Sequence, residues 1–364
     1  MKFRLLIVFI LIVSCSASDT NEEVAVDTTQ QTTTTLITET DTTTTTEAVI
    51  SYKFDIESMS PLTGKELDPI QAFNRPKQVI AFKIDNNINA RPQTGLQEAD
   101  SVFEILVEGG MTRFLALFMD NSSKYLGPLR SARPTDPTLI RPYDGTLVVS
   151  GATEGLIPDI IESGVPVLEE MQPPTMFRIA NRVAPHNLYV DTQLVRDEVV
   201  NRGFKFNYTI SPLYPFGYNQ NNWKDGANRI TIQYSEFTTV IWKKNGDSYS
   251  RFIIDEYSNE KNAVPHNFVT QEGNTGILTT ETIVVIQGAL YKDKATTLPS
   301  ILTVGIGDLY IFNDGNYTQG TWRRTDVSES FEFFDLNQNP IEVPPSSQWI
   351  HVVPDSGMIT WSNN

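Results

Sequence analysis

Arg130 and Arg133 stand three residues apart in Leu126-Gly127-Pro128-Leu129-Arg130-Ser131-Ala132-Arg133-Pro134, a cationic turn in an acidic chain. A guanidinium presents a planar fork of donors that matches carboxylate or phosphate, so this pair, with Arg113 and Arg91, can hold an anionic ligand. The same arginines can instead pair internally with Glu104, Glu108 or Asp85, which strand alternation aims from neighbouring faces. A second candidate is His186 in Ala184-Pro185-His186-Asn187, just before a strand-like Leu188-Tyr189-Val190. A loop histidine at a strand edge can exchange protons near neutral pH, and Ser131 is the nucleophile it would serve, although no G-x-S-x-G elbow is present. The bland alternative is that His186 and Asn187 bond loop backbone.

Glu104 and Glu108 form the third constellation, ahead of Gly109-Gly110. Four residues apart on one strand face, they would lie about 13 Å from each other. That exceeds the roughly 6.5 to 9.5 Å of an inverting glycosidase pair, so these two alone do not make a glycosidase. Their expected catalytic part is to orient His186. The candidate catalytic set is therefore His186, Glu104, Glu108 and Ser131. The candidate ligand-binding set is Asp85, Asn86, Arg91, Arg113, Arg130, Arg133 and Asn187.

No metal and no cofactor are expected. His186, His266 and His351 are far apart and Cys15 is the lone cysteine, which leaves no zinc spacing. Asp55, Asp85 and Asp136 belong to no D-x-D-x-D-G loop, and no phosphate-cradling glycine motif occurs. Pro-His-Asn occurs at both 185–187 and 265–267, and the flanking residues do not extend the match.

The elements that must carry these residues read as an α+β chain, with a mixed α/β domain over 51–215 and a β-rich, mostly antiparallel domain over 216–364. Gln78 to Asp85 alternates Ile80, Phe82 and Ile84 against Ala81, Lys83 and Asp85, which predicts a half-buried strand. Ser101 to Glu108 sets Phe103, Ile105 and Val107 against Val102, Glu104, Leu106 and Glu108, and Arg113 to Met119 follows as its hairpin partner. Thr146 to Ser150 reads as a strand and Gly155 to Ser163 as a helix. Asp191 can cap a helix that Gly203 stops. In the second half, Asn245-Gly246 marks a hairpin, with further strands expected at Thr282–Gln287, Leu309–Phe312, Phe331–Phe334, Pro340–Val343 and Trp349–Val353.

Ahead of these domains, Lys2, Arg4 and an apolar run through Val13 have the form of a secretory signal over 1–14, too short to span a bilayer, which takes about 20 apolar residues. Ile12-Val13-Ser14-Cys15 resembles the bacterial lipobox, which makes Cys15 the expected site of lipidation, with palmitate among the acyl groups. Residues 16–50 hold fourteen threonines and seven acidic side chains with no Lys or Arg, a composition expected of a disordered tether. The chain's formal charge of −16 makes a nucleic-acid partner unexpected.

The ordered series Pro61-Leu62-Thr63-Gly64, Ile84-Asp85-Asn86, Ala90-Arg91-Pro92-Gln93, Glu108-Gly109-Gly110-Met111-Thr112-Arg113-Phe114, Gly127 to Arg133 and Ala184 to Tyr189 resembles the YerB family of bacterial lipoproteins. His266, Thr275-Gly276, Gly320-Thr321-Trp322, Phe334-Asp335 and Trp349-Ile350 resemble that family's C-terminal domain. Asn267 departs from the acidic residue usual there. The resemblance implies a two-domain envelope lipoprotein of unassigned molecular function, with the arginine turn and His186 in one site. The expected function is thus that of a membrane-anchored extracytoplasmic lipoprotein that binds or scaffolds in the bacterial cell envelope. Its Arg/His site would take an anionic ligand or partner, such as a cell-wall polymer or an envelope protein. The alternative is a wall-acting hydrolase or transferase with His186 as acid or base and Arg130 and Arg133 stabilising charge, so the sequence leaves enzyme against binder open.

Overall fold

The computed structural model describes residues 53–364 apart from 170, 205–210 and 256–261. The signal segment, Cys15 and the threonine tether lie outside the described residues. In the first half, seven strands are labelled β1 (Ile80–Ile84), β2 (Ser101–Leu106), β3 (Thr112–Phe118), β4 (Thr146–Val148), β5 (Val167–Leu168), β6 (Met176–Arg178) and β7 (Leu188–Val190). Helices at Asp136–Ile140, Leu156–Glu162 and Thr192–Asn201 lie among them. Asp191 caps the last of these, accepting from the amides of Gln193 and Leu194 at 2.8 and 3.3 Å.

The second half is β-rich and mostly antiparallel, as its short alternating runs anticipate. Thr238–Asn245 and Ser248–Asp255 form the expected hairpin, with Asn245 opposite Ser248. Pro340–Val343 differs from expectation, contributing only isolated bridges, Phe334 to Pro340 and Phe216 to Val343. Pro340, Pro344 and Pro345 supply no N–H to a ladder, which limits pairing along this stretch.

Strands of both halves share one sheet. Its eleven described strands include β2 beside β3, then β1, β4 and β5; on its other side β2 runs parallel to Gln348–Pro354, with Glu104 opposite His351. Every residue of β1, β2 and β3 is buried, so both faces of this sheet are covered and alternation divides one interior from another. A second sheet, of six described strands including Thr238–Asn245 and Ser248–Asp255, packs on the face that carries Glu104. Trp242 meets Trp349 there with ring centroids 5.3 Å apart.

The ladder on β1 changes partner part-way, and this sets up the site. Ile80 to Phe82 pair with β4, but beyond them Asp85 N–H donates to Pro128 C=O and Arg130 N–H to Lys83 C=O, at 2.9 and 2.8 Å. The segment 126–130 therefore runs along the carboxyl end of β1. On its far side it meets β7, through Leu126 with Val190 and through Leu129 N–H donating to Leu188 C=O. Gly127 is required at this crossing, because a Cβ there would lie 2.8 Å from the Leu188 carbonyl oxygen.

Candidate functional site

Asp85 ends β1 and gathers the two leading candidates. Its Oδ2 lies 2.7 Å from His186 Nδ1 and 3.2 Å from Arg130 Nε. The Asp85 side chain is 3% exposed, while His186 and Arg130 retain 17% and 24%, so the carboxylate is interior and its partners face solvent. The Arg130 guanidinium makes no hydrogen bond among the described residues, and its buried Nε is left with the ion pair alone. An arginine fork so lightly committed can take an external carboxylate or phosphate. His186 uses Nδ1 on Asp85, which leaves Nε2 as the nitrogen that can meet a ligand.

Arg113 and Arg133 converge on Glu108. Arg133 donates through Nε to Oε2 at 2.6 Å and through Nη2 to Oε1, and Arg113 Nη2 lies 3.1 Å from Oε1. Burial opposes ionisation of Glu108, but the Arg133 hydrogen bonds and the charges of both arginines outweigh it and hold the carboxyl down at about 2. Burial, with Arg133 close by, lowers Arg113 to about 10, so it remains a cation at neutral pH. Arg113 also interacts electrostatically with Asp85 and Arg130, so the two clusters adjoin. Behind them lies a fully buried pair, Lys83 Nζ 2.5 Å from Asp136 Oδ1, with Lys83 lowered to about 8 by burial.

Glu104 lies in a separate, wholly buried network. Oε1 accepts from Arg251 Nη2 at 2.6 Å and from Thr112 Oγ1 at 2.8 Å, and Oε2 accepts from Trp349 Nε1 at 3.0 Å. An arginine can only donate, so its bond to His266 Nδ1 puts the imidazole proton on Nε2, which donates to Gln93 Oε1 at 2.8 Å. Gln93 Nε2 then donates to the Asp85 carbonyl at 2.9 Å. Asn86 Nδ2 donates to Thr112 Oγ1 at 2.8 Å, which closes the circuit between the two halves of the chain. By the same logic Trp242 Nε1 donates to His351 Nε2 at 2.9 Å, leaving His351 Nδ1 to donate to the Tyr234 hydroxyl. Burial lowers His351 to about 3, and burial with the Arg251 charge takes His266 well below its ordinary value.

The family described as "Protein of unknown function (DUF3048)" matches this chain with its N-terminal domain over residues 62–205 and its C-terminal domain over 229–350. YerB of Bacillus subtilis (strain 168), named as a lipoprotein, is 25% identical over 300 residues, covering 81% of this chain and 86% of that protein. The chain belongs to the YerB-like, two-domain family. A crystal structure of YerB from Bacillus subtilis has the same fold, with a TM-score of 0.68 at 22% identity over 83% of this chain and 99% of that one. Among the described residues of this YerB-like chain, no helix is long and apolar enough to cross a membrane.

Six of the expected site residues form two adjoining clusters in this family member, and the rest are engaged elsewhere. Asp85, Arg130 and His186 meet directly, and Arg113, Arg133 and Glu108 form the adjoining cluster. Glu104 does not join them; the carboxylate that holds His186 is Asp85. Alternation put Glu104 and Glu108 on one strand face, but β2 ends at Leu106, and a turn with Gly109 and Gly110 at φ 70° and 69° carries Glu108 to the Arg113 side. Asn86 and Arg91 bind each other, through Arg91 Nη2 to the Asn86 carbonyl at 2.7 Å. Asn187 braces its loop, donating to the carbonyls of Ile179 and Arg182 and accepting from Arg178 Nη1 at 2.7 Å. Ser131 offers its carbonyl to Arg113 Nη1 at 2.9 Å, and the hydrogen bond of His186 runs to Asp85 rather than to Ser131.

Gln93, His266, Arg251 and Lys83 escaped the sequence reading as interacting groups. The second Pro-His-Asn and the family resemblance both singled out His266, and the resemblance included Gln93, but spacing could not pair the two across 173 residues.

Proposed function

We propose that the protein is an extracytoplasmic lipoprotein, tethered to a membrane by a lipid on Cys15, which binds an anionic ligand or partner of the bacterial cell envelope through Arg130 and His186. The observation that carries this reading is the Arg130 guanidinium, whose ion pair with Asp85 leaves its donors free of hydrogen bonds among the described residues. Glu108 complements the reading by occupying Arg113 and Arg133, which then supply field rather than contacts. The family resemblance to a lipoprotein supports the anchor, and the division into domains at 51–215 and 216–364 belongs to the same reading.

The test is retention of cell-wall fragments and envelope proteins by the wild-type chain and by Arg130→Ala plus Arg133→Ala. Equal retention by both would remove the arginine turn from the function. In parallel, Cys15→Ala should move the protein from the membrane to the soluble fraction while its thermal transition stays unchanged.

A second reading has one observation in its favour. An Asp85–His186 pair at 2.7 Å with a solvent-facing imidazole is the arrangement of a general acid or base held by a carboxylate, with Arg130 beside it for developing negative charge. In this reading the protein acts on the wall as a hydrolase or transferase. Unchanged wall turnover in His186→Ala would exclude it.

A further inference from the structure

The small sheet of β6 and β7, beside Arg130 and His186, borders a cavity. Residues directly opposite in an antiparallel pair share a face. Leu126 faces Val190 across the ladder and Leu129 N–H donates to Leu188 C=O; on the other side of β7, Leu188 faces Arg178 and Val190 faces Met176. Met176, Arg178, Leu188 and Val190 therefore lie on one face. Phe177 and Tyr189 turn the opposite way, their rings 5.5 and 4.8 Å from that of Tyr125.

A cavity of about 300 Å³ lies along β6 and the start of β7, lined by Ser150, Met171, Gln172, Met176, Phe177, Arg178 and Leu188 among others. It adjoins the anion site through main chain, because Ser150 N–H donates to the Arg130 carbonyl at 3.2 Å and Leu129 N–H to the Leu188 carbonyl at 2.7 Å. It also lies past the carboxyl ends of β4 and β5, which run parallel with β1, the edge of a parallel sheet where ligands commonly bind.

We propose that this cavity is the second half of the ligand site and that its occupant is a short peptide segment with a free carboxylate beside an aliphatic side chain. The inference rests on the anion-binding reading and names its ligand class. Three features select the class. Arg113, Arg130 and Arg133 face two carboxylates, Asp85 and Glu108, and Arg178 on the cavity wall adds a further cation, so the combined site carries surplus positive charge that matches an anionic group such as a carboxylate. Met171, Met176 and Leu188 give the cavity an apolar wall fit for an aliphatic side chain. The Ser150 hydroxyl and the Gln172 amide make no hydrogen bond among the described residues, and they complement a peptide group rather than a bare acyl chain. The volume stands at the small end for ligand sites, which suits one or two residues and not a folded partner.

The experiment is calorimetric titration of the full chain with acetate, N-acetyl-leucine, N-acetyl-leucinamide, octanoate and inorganic phosphate. N-acetyl-leucine should bind at least about tenfold tighter than acetate, phosphate and the amide. Gln172 is exposed, and Gln172→Trp should fill the cavity, removing that advantage while leaving acetate affinity as it was. Arg130→Gln should abolish binding of both acids. N-acetyl-leucine binding no tighter than acetate, or untouched by Gln172→Trp, overturns the peptide subsite and leaves the anion reading standing. Octanoate matching N-acetyl-leucine overturns the peptide class in favour of an acyl chain, and phosphate binding tighter than both overturns the carboxylate. Acid binding that survives Arg130→Gln overturns the anion reading itself.

Discussion

His186 Nδ1 sits 2.7 Å from Asp85 Oδ2 although 101 residues separate the two in the chain. The contact exists because 126–130 is threaded between β1 and β7, so that the end of one strand and the entry to the other meet across it. Asp85 thereby orients both an imidazole and a guanidinium. Asp85→Asn keeps the shape but removes the charge that holds Arg130 and His186 together. Acetate affinity should fall about tenfold, comparably to His186→Ala, with the melting temperature read in parallel to separate binding from folding. Unchanged affinity in Asp85→Asn would disconnect this carboxylate from the site.

Glu104 should behave as a structural group. Its partner Arg251 is also fully buried, and removing one member of such a pair leaves an uncompensated charge in the interior. Glu104→Ala should cost about 3 to 5 kcal/mol in urea unfolding. Its effect on ligand affinity, measured where the protein is still folded, should be small beside that of Arg130→Gln. A folded, stable Glu104→Ala protein that fails to bind would reverse this assignment.

His266 and His351 make stability depend on acid. Both are held neutral by burial, His351 down at about 3, so between the ordinary histidine value of about 6.5 and that level the unfolded chain binds more protons than the folded one. Stability should therefore fall as pH drops below about 6.5. His351→Gln should give a shallower dependence across pH 6.5 to 4, approximately, at some cost in stability at pH 7. An identical slope in the variant would show that other groups dominate.

Glu108 contributes in a lower window. Its folded value of about 2 is depressed from 4.5, so its contribution is present above 4.5 and is lost as pH falls towards 2. The side chain is 38% exposed, and solvent screening reduces the effect to about 1 kcal/mol. Glu108→Gln should lower stability by about that amount at pH 7 and by little at pH 2.5, as followed by urea midpoints.

Much of the fold was legible locally. The Asp191 cap, the Asn245-Gly246 hairpin and the strands around Ile80–Ile84 and Thr112–Phe118 follow from turn chemistry and short-range alternation, which act over a few residues. That Arg130 and His186 lie near each other was suggested only by the family resemblance, because spacing along the chain carries no information about their meeting at Asp85. The placement of Glu108 was lost because alternation was continued past Leu106, where β2 ends ahead of a turn with left-handed Gly109 and Gly110.

Residue types and short-range patterning pointed to the α+β class and the shortlist of charged residues, and an ordered series of motifs carried the resemblance to the YerB family. What the list could not contain was its own sorting. Glu104 and Glu108 are the same residue four positions apart, yet one is sealed beneath a second sheet with Arg251 and the other clasps two arginines at the surface. Packing of the second half on β2 decided the place of Glu104 through Arg251, 147 residues away, a contact that leaves no periodic trace in the sequence, while the turn after Leu106 decided that of Glu108.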